Sequence, residues 1–531
     1  MIRTLELSNV RIFEGPGWTF DLKPLTVFCG ANSAGKTTVL KAPLLLQQSQ
    51  DQTQGQDGRL YLAGSRVDFG DYRTFVSHGD TARKVLISIT IETQISPSTI
   101  EFLRAAKKSR RKTDSQSETI TKPAELRCEF TFSLATPRRE PAGGRSSAPA
   151  PDGTLVALLD GAAFSLTAES EELLQWKVVR SESPTTTSGQ YEIQLPANYF
   201  RKVGGFRIIS VEQEGDHVQF PATLDGLLPF TIVGKAKTRR SSEGQSEAAS
   251  PEAEEIQAPL PPVIQQALWA FQEALKNTSY LGPLRSPAKR YYVAHLEATG
   301  DIDPTGEFLP YVLRDRAEDR VTNVLPGAGT EITRQPLGKA LDGWVHYLRT
   351  GESGSPSESA EVLLSTTKQV LVQISVKSPS NSEGYALADS GFGYSQVLPI
   401  LVRGLLADAG STFIVEQPEL HLNPSLQVRL AEFFVSMVRG GKQVLIETHS
   451  EHLVNAIRVL AAEDETGALS QKSRIYFIDT SLPRPVLRNL SVEKDGTIPD
   501  WPRYFFGEAV ELTGRLLRAQ KRFRTSTSEP K

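Results

Sequence analysis

Leu25-Thr26-Val27-Phe28-Cys29-Gly30-Ala31-Asn32-Ser33-Ala34-Gly35-Lys36-Thr37 is the stretch whose reading decides the fold. Leu25 to Cys29 is a short, mostly apolar run that reads as a buried strand. The next eight residues fit G-x-x-x-x-G-K-[ST], and Thr38 to Gln47 read as a helix. Strand, loop and helix in that order are the context this motif requires. Gly30 and Gly35 permit backbone angles that aim successive N–H groups at one point. Gly30, Asn32, Ser33, Ala34, Gly35 and Thr38 are therefore expected to line a phosphate cradle, to which the helix N-terminus adds its dipole. Lys36 would reach the β- and γ-phosphates, and the Thr37 hydroxyl would ligate Mg²⁺. Pro43 falls inside the helical stretch and predicts a kink or an early stop.

The rest of the chain sets the frame around that loop. Its 531 residues argue for more than one structural unit. Hydrophobic residues make up 39% and charged residues 23%, as in globular proteins. No apolar run approaches the roughly 20 residues that span a bilayer, so no membrane partner is expected. Met1 to Val10 alternates apolar and polar residues and lacks the order of a signal peptide. The two cysteines, Cys29 and Cys128, make neither a disulfide scaffold nor a zinc site, which points to a reducing cytoplasm. A net charge of −3 does not advertise nucleic acid. A local basic patch at Lys107 to Lys112 keeps nucleic acid possible, although no interleaved aromatics support base stacking.

Organisation follows from composition. Lys107–Lys122, Thr136–Asp152, Glu182–Gly189 and Lys237–Glu255 are rich in Ser, Gly, Pro, Ala or charge, and read as poorly ordered loops. Between them lie strand-like runs: Lys84 to Glu92, Leu126 to Leu134, Thr154 to Leu158, Gln175 to Val179 and Phe206 to Val211. Short strands separated by turn signals predict an antiparallel β region. Five segments are expected: an N-terminal part carrying the phosphate loop at 1–100, a β-rich insertion at 101–262, a helical linking region at 263–380, a second part of the nucleotide-binding unit at 381–490, and a C-terminal segment at 491–531. Pro261 to Lys276 reads as a helix, and α/β patterning returns from Ala386 to Asp479.

Two more strand tips carry chemistry. Ser411 to Val415 is an apolar strand ending in Glu416-Gln417-Pro418-Glu419. An acidic residue at such a tip is placed to hold Mg²⁺, directly or through water. Pro424 would start a helix running to about Val438. Val444 to Glu447 is another apolar strand, followed by Thr448-His449-Ser450, and a His there can contact a γ-phosphate or an attacking water. Ala388 to Gln396 contains a Ser390-Gly391 turn opening a helix from Val397 to Ala407, which is a further candidate anion site. Arg285 and Arg290 flank Pro287 and are candidates either to neutralise phosphate or to form ion pairs.

These elements, in this order, resemble the ABC-type ATPase heads of the SMC and OLD-like group. Ile2 to Val10 looks like the first strand of those heads. Leu44-Leu45-Leu46-Gln47-Gln48-Ser49, Leu60 to Gly64, Val67 to Gly70, Tyr280 to Arg285, Glu416 to His421 and Asp500 to Phe506 look like a narrower bacterial family. Its members are known as AAA family ATPases with a C-terminal domain of unknown function. The resemblance implies an α/β P-loop NTPase fold with a mixed sheet, an inserted antiparallel β elaboration and a small C-terminal helical segment. It implies that Ser390 and Gly391 form a signature turn completing the ATP site of an opposing copy, so that ATP and Mg²⁺ lie between two chains of a homo-oligomer. It departs from the group at Glu416-Gln417, where Asp-Glu is usual. Gln417 can position water but cannot take its proton. Gln417 as water positioner, Glu419 as base, and slow hydrolysis with ATP as a clamp are the three readings. The reading favoured is slow hydrolysis assisted by Glu419. At the level of function, the resemblance suggests a switch subunit that controls an effector such as a nuclease or toxin in phage defence. The alternatives are a DNA-repair-type nucleic-acid-processing ATPase and a non-hydrolysing nucleotide sensor.

Overall fold

The computed structural model describes residues 1–51, 58–107, 121–134, 155–181, 191–202, 212–236, 254–293, 302–327, 331–353, 362–367, 371–378, 381–389, 392–480, 485–502 and 512–520. They form two discontinuous units. One comprises Met1–Leu22, Thr37–Tyr280 and Gly410–Ile414; the other comprises Lys23–Lys36, Leu281–Ala409 and Val415–Lys531.

The first unit is dominated by an antiparallel sheet, built from alternation. Leu126, Cys128, Phe130 and Phe132 are fully buried in strand Lys122–Leu134, and Glu125, Arg127, Glu129 and Thr131 between them are not. That period of two puts one face of the strand on the core. The strands run in the order Glu254–Pro259, Leu228–Ala236, His217–Asp225, Tyr191–Pro196, Glu171–Arg180, Ala157–Ala168, Lys122–Leu134, Val85–Ile95, Ile2–Ser8, Trp18–Asp21. The β-rich stretch expected at 101–262 therefore continues a sheet begun by the first hundred residues, since Val85–Ile95 pairs with both Ile2–Ser8 and Lys122–Leu134. Helix Pro262–Lys276 buries Ile264, Ala267, Leu268, Phe271 and Leu275, one stripe at helical spacing. Phe271 meets Phe130 at 5.8 Å between ring centroids.

The predicted loops fall mostly outside the described residues, as does the expected strand Phe206 to Val211. At their edges order extends further than composition suggests. Lys107 closes helix Pro97–Lys107, Lys122 opens a strand, and Glu254 and Glu255 begin the edge strand of the sheet.

The second unit carries most of the candidate site residues, and Thr37 and Thr38 fall in the first. Its core strands are β1 (Leu25–Gly30), β3 (Gln443–Glu447) and β4 (Ser473–Asp479), mutually parallel with β1 in the middle, and β5 (Val486–Leu490), antiparallel to β4. The sheet is thus mixed, and its middle strand is buried from Leu25 to Cys29, as a strand covered on both faces must be. Phe28 stacks on Tyr476 of β4 at 5.5 Å. After β1 the chain enters helix α1 (Lys36–Asp51), which belongs to the first unit from Thr37 on and runs through Pro43 without stopping. Further along come α2 (Leu337–Thr350), α3 (Phe392–Leu406), β2 (Thr412–Glu416, of which Val415 and Glu416 belong to this unit), α4 (Pro424–Arg439) and α5 (Glu451–Glu463). The order of strand, phosphate loop and helix gives the chain a P-loop NTPase fold of the α/β class. Residues 512–520 are helical, within the C-terminal helix expected from the sequence. Trp501 lies under the Arg458 guanidinium of α5 at 5.1 Å, a cation–π contact. Among the described residues no helix is long and apolar enough to cross a membrane.

Candidate nucleotide site

The loop between β1 and α1 is shaped by three positive φ angles: Gly30 at 135°, Ser33 at 61° and Gly35 at 81°. Gly30 has a second constraint, because a Cβ there would lie 2.6 Å from the Ile478 carbonyl oxygen. Left-handed residues spaced along a loop turn successive N–H groups toward a concavity, which suits an anion. Asn32 and Ser33 are exposed at its crest, while Ala34, Lys36 and Thr38 are buried. Lys36 is only 3% exposed. Its Nζ donates to the carbonyl oxygens of Gly30 at 3.1 Å and Ala31 at 2.7 Å, inside its own loop. Glu447 Oε1 stands 3.8 Å away. Burial lowers the Lys36 pKa, and Glu447 opposes that shift. Thr37 and Thr38 occupy the first turn of α1.

Two backbone bonds lock the neighbouring strand ends together. Gln417 N–H donates to Glu447 O at 2.7 Å, and Thr448 N–H donates to Phe28 O at 3.1 Å. Glu416 and Glu447 are both buried at their strand tips. Gln417 sits at φ 42°, in the left-handed region. Such strain in a non-glycine residue clusters at functional sites. Arg285 is buried, and its Nη2 donates to Glu416 O at 3.1 Å, so it braces the strand tip. Arg290 stands apart in an exposed ion pair with Asp389 at 3.0 Å.

Glu419 has the most informative environment. Its Oε1 accepts the His449 N–H at 2.7 Å. Its Oε2 is buried and has no hydrogen-bond partner among the described residues. Burial raises its pKa, against hydrogen bonds from the His449 and Glu419 backbones and the Thr448 hydroxyl and the charge of Arg285. A carboxylate with a raised pKa and a vacant lone pair can accept a proton from a water molecule. Partial desolvation and the Lys36 charge lower the His449 pKa, so this imidazole is neutral near pH 7. Ser450 caps α5 by accepting the Leu453 N–H at 3.0 Å.

Gly30, Asn32, Ser33, Ala34, Gly35, Lys36, Glu416, Gln417, Glu419 and His449 thus lie in one unit. Ser390 and Gly391 lie outside the described residues. Glu447, facing Lys36, went unsingled from sequence. The signal was present, because it ends an apolar strand just as Glu416 does.

Residues 349–454 match the family model described as an AAA ATPase domain. Residues 4–135 match one described as an AAA domain. The first segment contains Glu416 to Glu419 and His449, and the second contains the phosphate loop. ATP binding and ATPase activity are thereby supported at the level of these domain families. No relative among curated proteins matches the chain. Among solved structures, the chain aligns with an Smc head bound to the C-winged helix domain of ScpA, at 11% identity, covering 93% of this chain and 98% of that one, with a TM-score of 0.37. It aligns with the SMC head domain from Thermotoga maritima at 7% identity, covering 92% and 99%, with a TM-score of 0.34. A third alignment is with an Smc head with an extended coiled coil, bound to the C-terminal domain of ScpA and derived from Pyrococcus furiosus, at 9% identity, 97% and 99% coverage and a TM-score of 0.38.

Proposed function

We propose that this chain binds ATP with Mg²⁺ at residues 30–38, hydrolyses it slowly, and acts as a subunit that pairs with a second copy around the nucleotide to control a partner protein. The observation that carries the nucleotide reading is Lys36. A buried ammonium held by two carbonyl oxygens of its own loop is a charge waiting for a stronger acceptor. Phosphate oxygens supply one, in a loop whose backbone is already bent to receive them.

The donors present suit Mg²⁺. A hydroxyl at Thr37 and the buried carboxylate of Glu416 are hard oxygen ligands, and either would hold the ion directly or through water. The orphaned Oε2 of Glu419 points the same way, since a buried acceptor without a partner fits a site that water completes. Bound Mg²⁺ would offset charge that builds on the phosphate oxygens. The chain's own contribution to hydrolysis is proton transfer: Glu419 accepts the proton of a water, with Gln417 and His449 beside it to orient that water.

Pairing with a second copy rests on the likeness of Ser390-Gly391 to a signature turn. The partner, an effector such as a nuclease or toxin, rests on analogy with related ATPases of phage-defence systems. The test of the hydrolytic reading is steady-state phosphate release measured beside equilibrium ATP binding. Glu419→Gln is expected to lose about 10²–10⁴-fold in turnover while still binding ATP. Gln417→Glu is expected to change turnover little. Rapid turnover in Glu419→Gln would remove it as the base, and a large gain in Gln417→Glu would assign that role to position 417.

A further inference from the structure

A cleft of about 490 Å³ lies in the first unit, between the start of strand Leu228–Ala236 and one face of helix Pro262–Lys276. Two aromatic side chains stand open at it, Phe230 and Trp269, each 63% exposed. Large apolar groups left in water at one place mark a contact surface.

The backbone sets both of them there. Strand His217–Asp225 pairs Thr223 with Thr231 but Leu224 with Pro229, so Phe230 is the extra residue of a β-bulge. A bulge re-aims a side chain, and Leu228 and Pro229 beside it are buried. Trp269 lies off the stripe that its helix buries. Gln265 is one turn before it and Gln272 one turn after, so the indole sits among amides on the helix surface. Asp225 is the one charged residue among the described residues of the lining, and no cation lines the cleft to offset it. Its position is fixed. Asp225 O accepts from Gln50 Nε2 at 2.7 Å, and Gln50 Oε1 accepts the Leu227 N–H at 3.1 Å, which pins the turn to the end of α1. Gly226, at φ 62°, allows that approach, since a Cβ there would lie 2.9 Å from Gln50 Oε1. A turn held in this way needs little further ordering when a ligand arrives.

We propose that this cleft docks an apolar segment of a partner protein that carries an arginine. A guanidinium is planar, pairs with a carboxylate and stacks on an aromatic face. Asp225 supplies the carboxylate, and Phe230 and Trp269 supply the faces. The amides of Gln265 and Gln272 can donate to and accept from the backbone of an extended segment. A purely apolar partner would gain nothing from the carboxylate, and a bare metal ion nothing from the two rings. That the docked protein is the one this chain controls rests on the reading above; the occupancy of the cleft does not.

The test uses the full chain without nucleotide and two peptides, acetyl-Gly-Leu-Arg-Leu-Gly amide and the same peptide with citrulline in place of arginine, in saturation-transfer NMR titrations. Citrulline keeps the shape of the side chain and removes its charge. The arginine peptide is expected to bind saturably, and at least about tenfold more tightly than the citrulline peptide. Asp225→Asn is expected to narrow that preference to less than about threefold, because the cation then has only the rings. Trp269→Gln, a good helix former at an exposed position, is expected to weaken both peptides at least about tenfold. No saturation below about 5 mM, a range that covers even weak docking, overturns the site. So does equal affinity for the two peptides, or affinity that neither substitution changes. Two other results would give the cleft a different occupant and overturn the proposal. Binding that appears only when residues 237–253 are replaced by Asn-Gly would assign it to this chain's own basic Lys237-Thr238-Arg239-Arg240 stretch. Self-association without nucleotide that Trp269→Gln abolishes, seen by sedimentation velocity, would assign it to a second copy. The arginine peptide is expected to bind the Lys36→Ala chain as well as the native one. Loss of ATP binding or turnover therefore bears on the nucleotide reading alone, and loss of the peptide on this site alone.

Discussion

At the scale of single residues, two titratable groups flank the expected position of the attacking water, and their environments push them in opposite chemical directions. Burial raises the pKa of Glu419 above the ordinary 4.5, and desolvation with the Lys36 charge lowers that of His449 below 6.5. A base works only when deprotonated. Activity should therefore fall as pH drops through the raised Glu419 value, while His449 is proposed to orient the water and not to take its proton. In a pH profile of kcat/KM, which reports the free enzyme, His449→Gln is expected to lower the plateau yet leave the acid limb where it is. Disappearance of that limb in His449→Gln would assign it to the imidazole and remove the argument for Glu419.

At the scale of elements, the sequence made the local order readable and left the pairings hidden. Leu25 to Thr37 announces strand, turn and helix because its glycines and its apolar run have few other uses. Phe130 and Phe132 announce a half-buried strand by alternation. Nothing local reveals that Glu447 faces Lys36, or that Ile2–Ser8 sits beside Val85–Ile95, since both depend on residues far apart in the chain. Pro43 misleads as to an early stop, for the opposite reason. It is a strong local signal for a break, but the buried run from Leu44 to Leu46 lies just beyond it and the helix continues. Two elements give predictions of their own. Ala236 and Glu254 are cross-strand partners, so the chain between them closes a hairpin. Replacing residues 237–253 with Asn-Gly supplies the two-residue turn that such partners need. ATP binding should persist and the melting temperature should stay within about 2 °C, roughly 1 kcal/mol; a larger drop would show that the replaced segment is structural. The C-terminal turn of α3 is held by Lys442, 2% exposed, whose Nζ donates to Gly404 O at 2.8 Å and Leu405 O at 3.1 Å. Burial pushes its pKa down from 10.5 to about 8. Below about pH 8 both folded and unfolded chains carry the proton, and the fold bears the full cost of the buried charge. Above it the folded chain releases the proton first, so stability rises between about 8 and 10.5. Urea unfolding at pH 8 and pH 10 should show a gain on the order of 2 kcal/mol for the native protein relative to Lys442→Met. Equal pH responses in the two would mean that Lys442 is not depressed.

At the scale of the whole molecule, the question is whether one chain holds a complete hydrolytic site. The sequence has a single phosphate loop at Gly30 to Thr37 and a single Ser390-Gly391 turn, and the proposed pairing assigns them to different copies around each nucleotide. Lys36→Ala should destroy the loop of its own chain and spare its turn. Ser390→Arg should do the reverse. Each variant alone then gives dimers in which no site is intact. In an exchanging one-to-one mixture, half the dimers join one chain of each kind, and one of the two sites in such a dimer combines an intact loop with an intact turn. Turnover should return to about a quarter of the native level under random pairing, while both parents remain inactive. The measurement is phosphate release across a range of mixing ratios, with ATP binding to the Ser390→Arg chain recorded in parallel to show that its loop still works. A parabolic rise with its maximum at equal amounts supports a site shared between copies. If the mixture is as inactive as its parents although subunits exchange, the shared site is wrong; if Ser390→Arg alone hydrolyses ATP at the native rate, each chain completes its own.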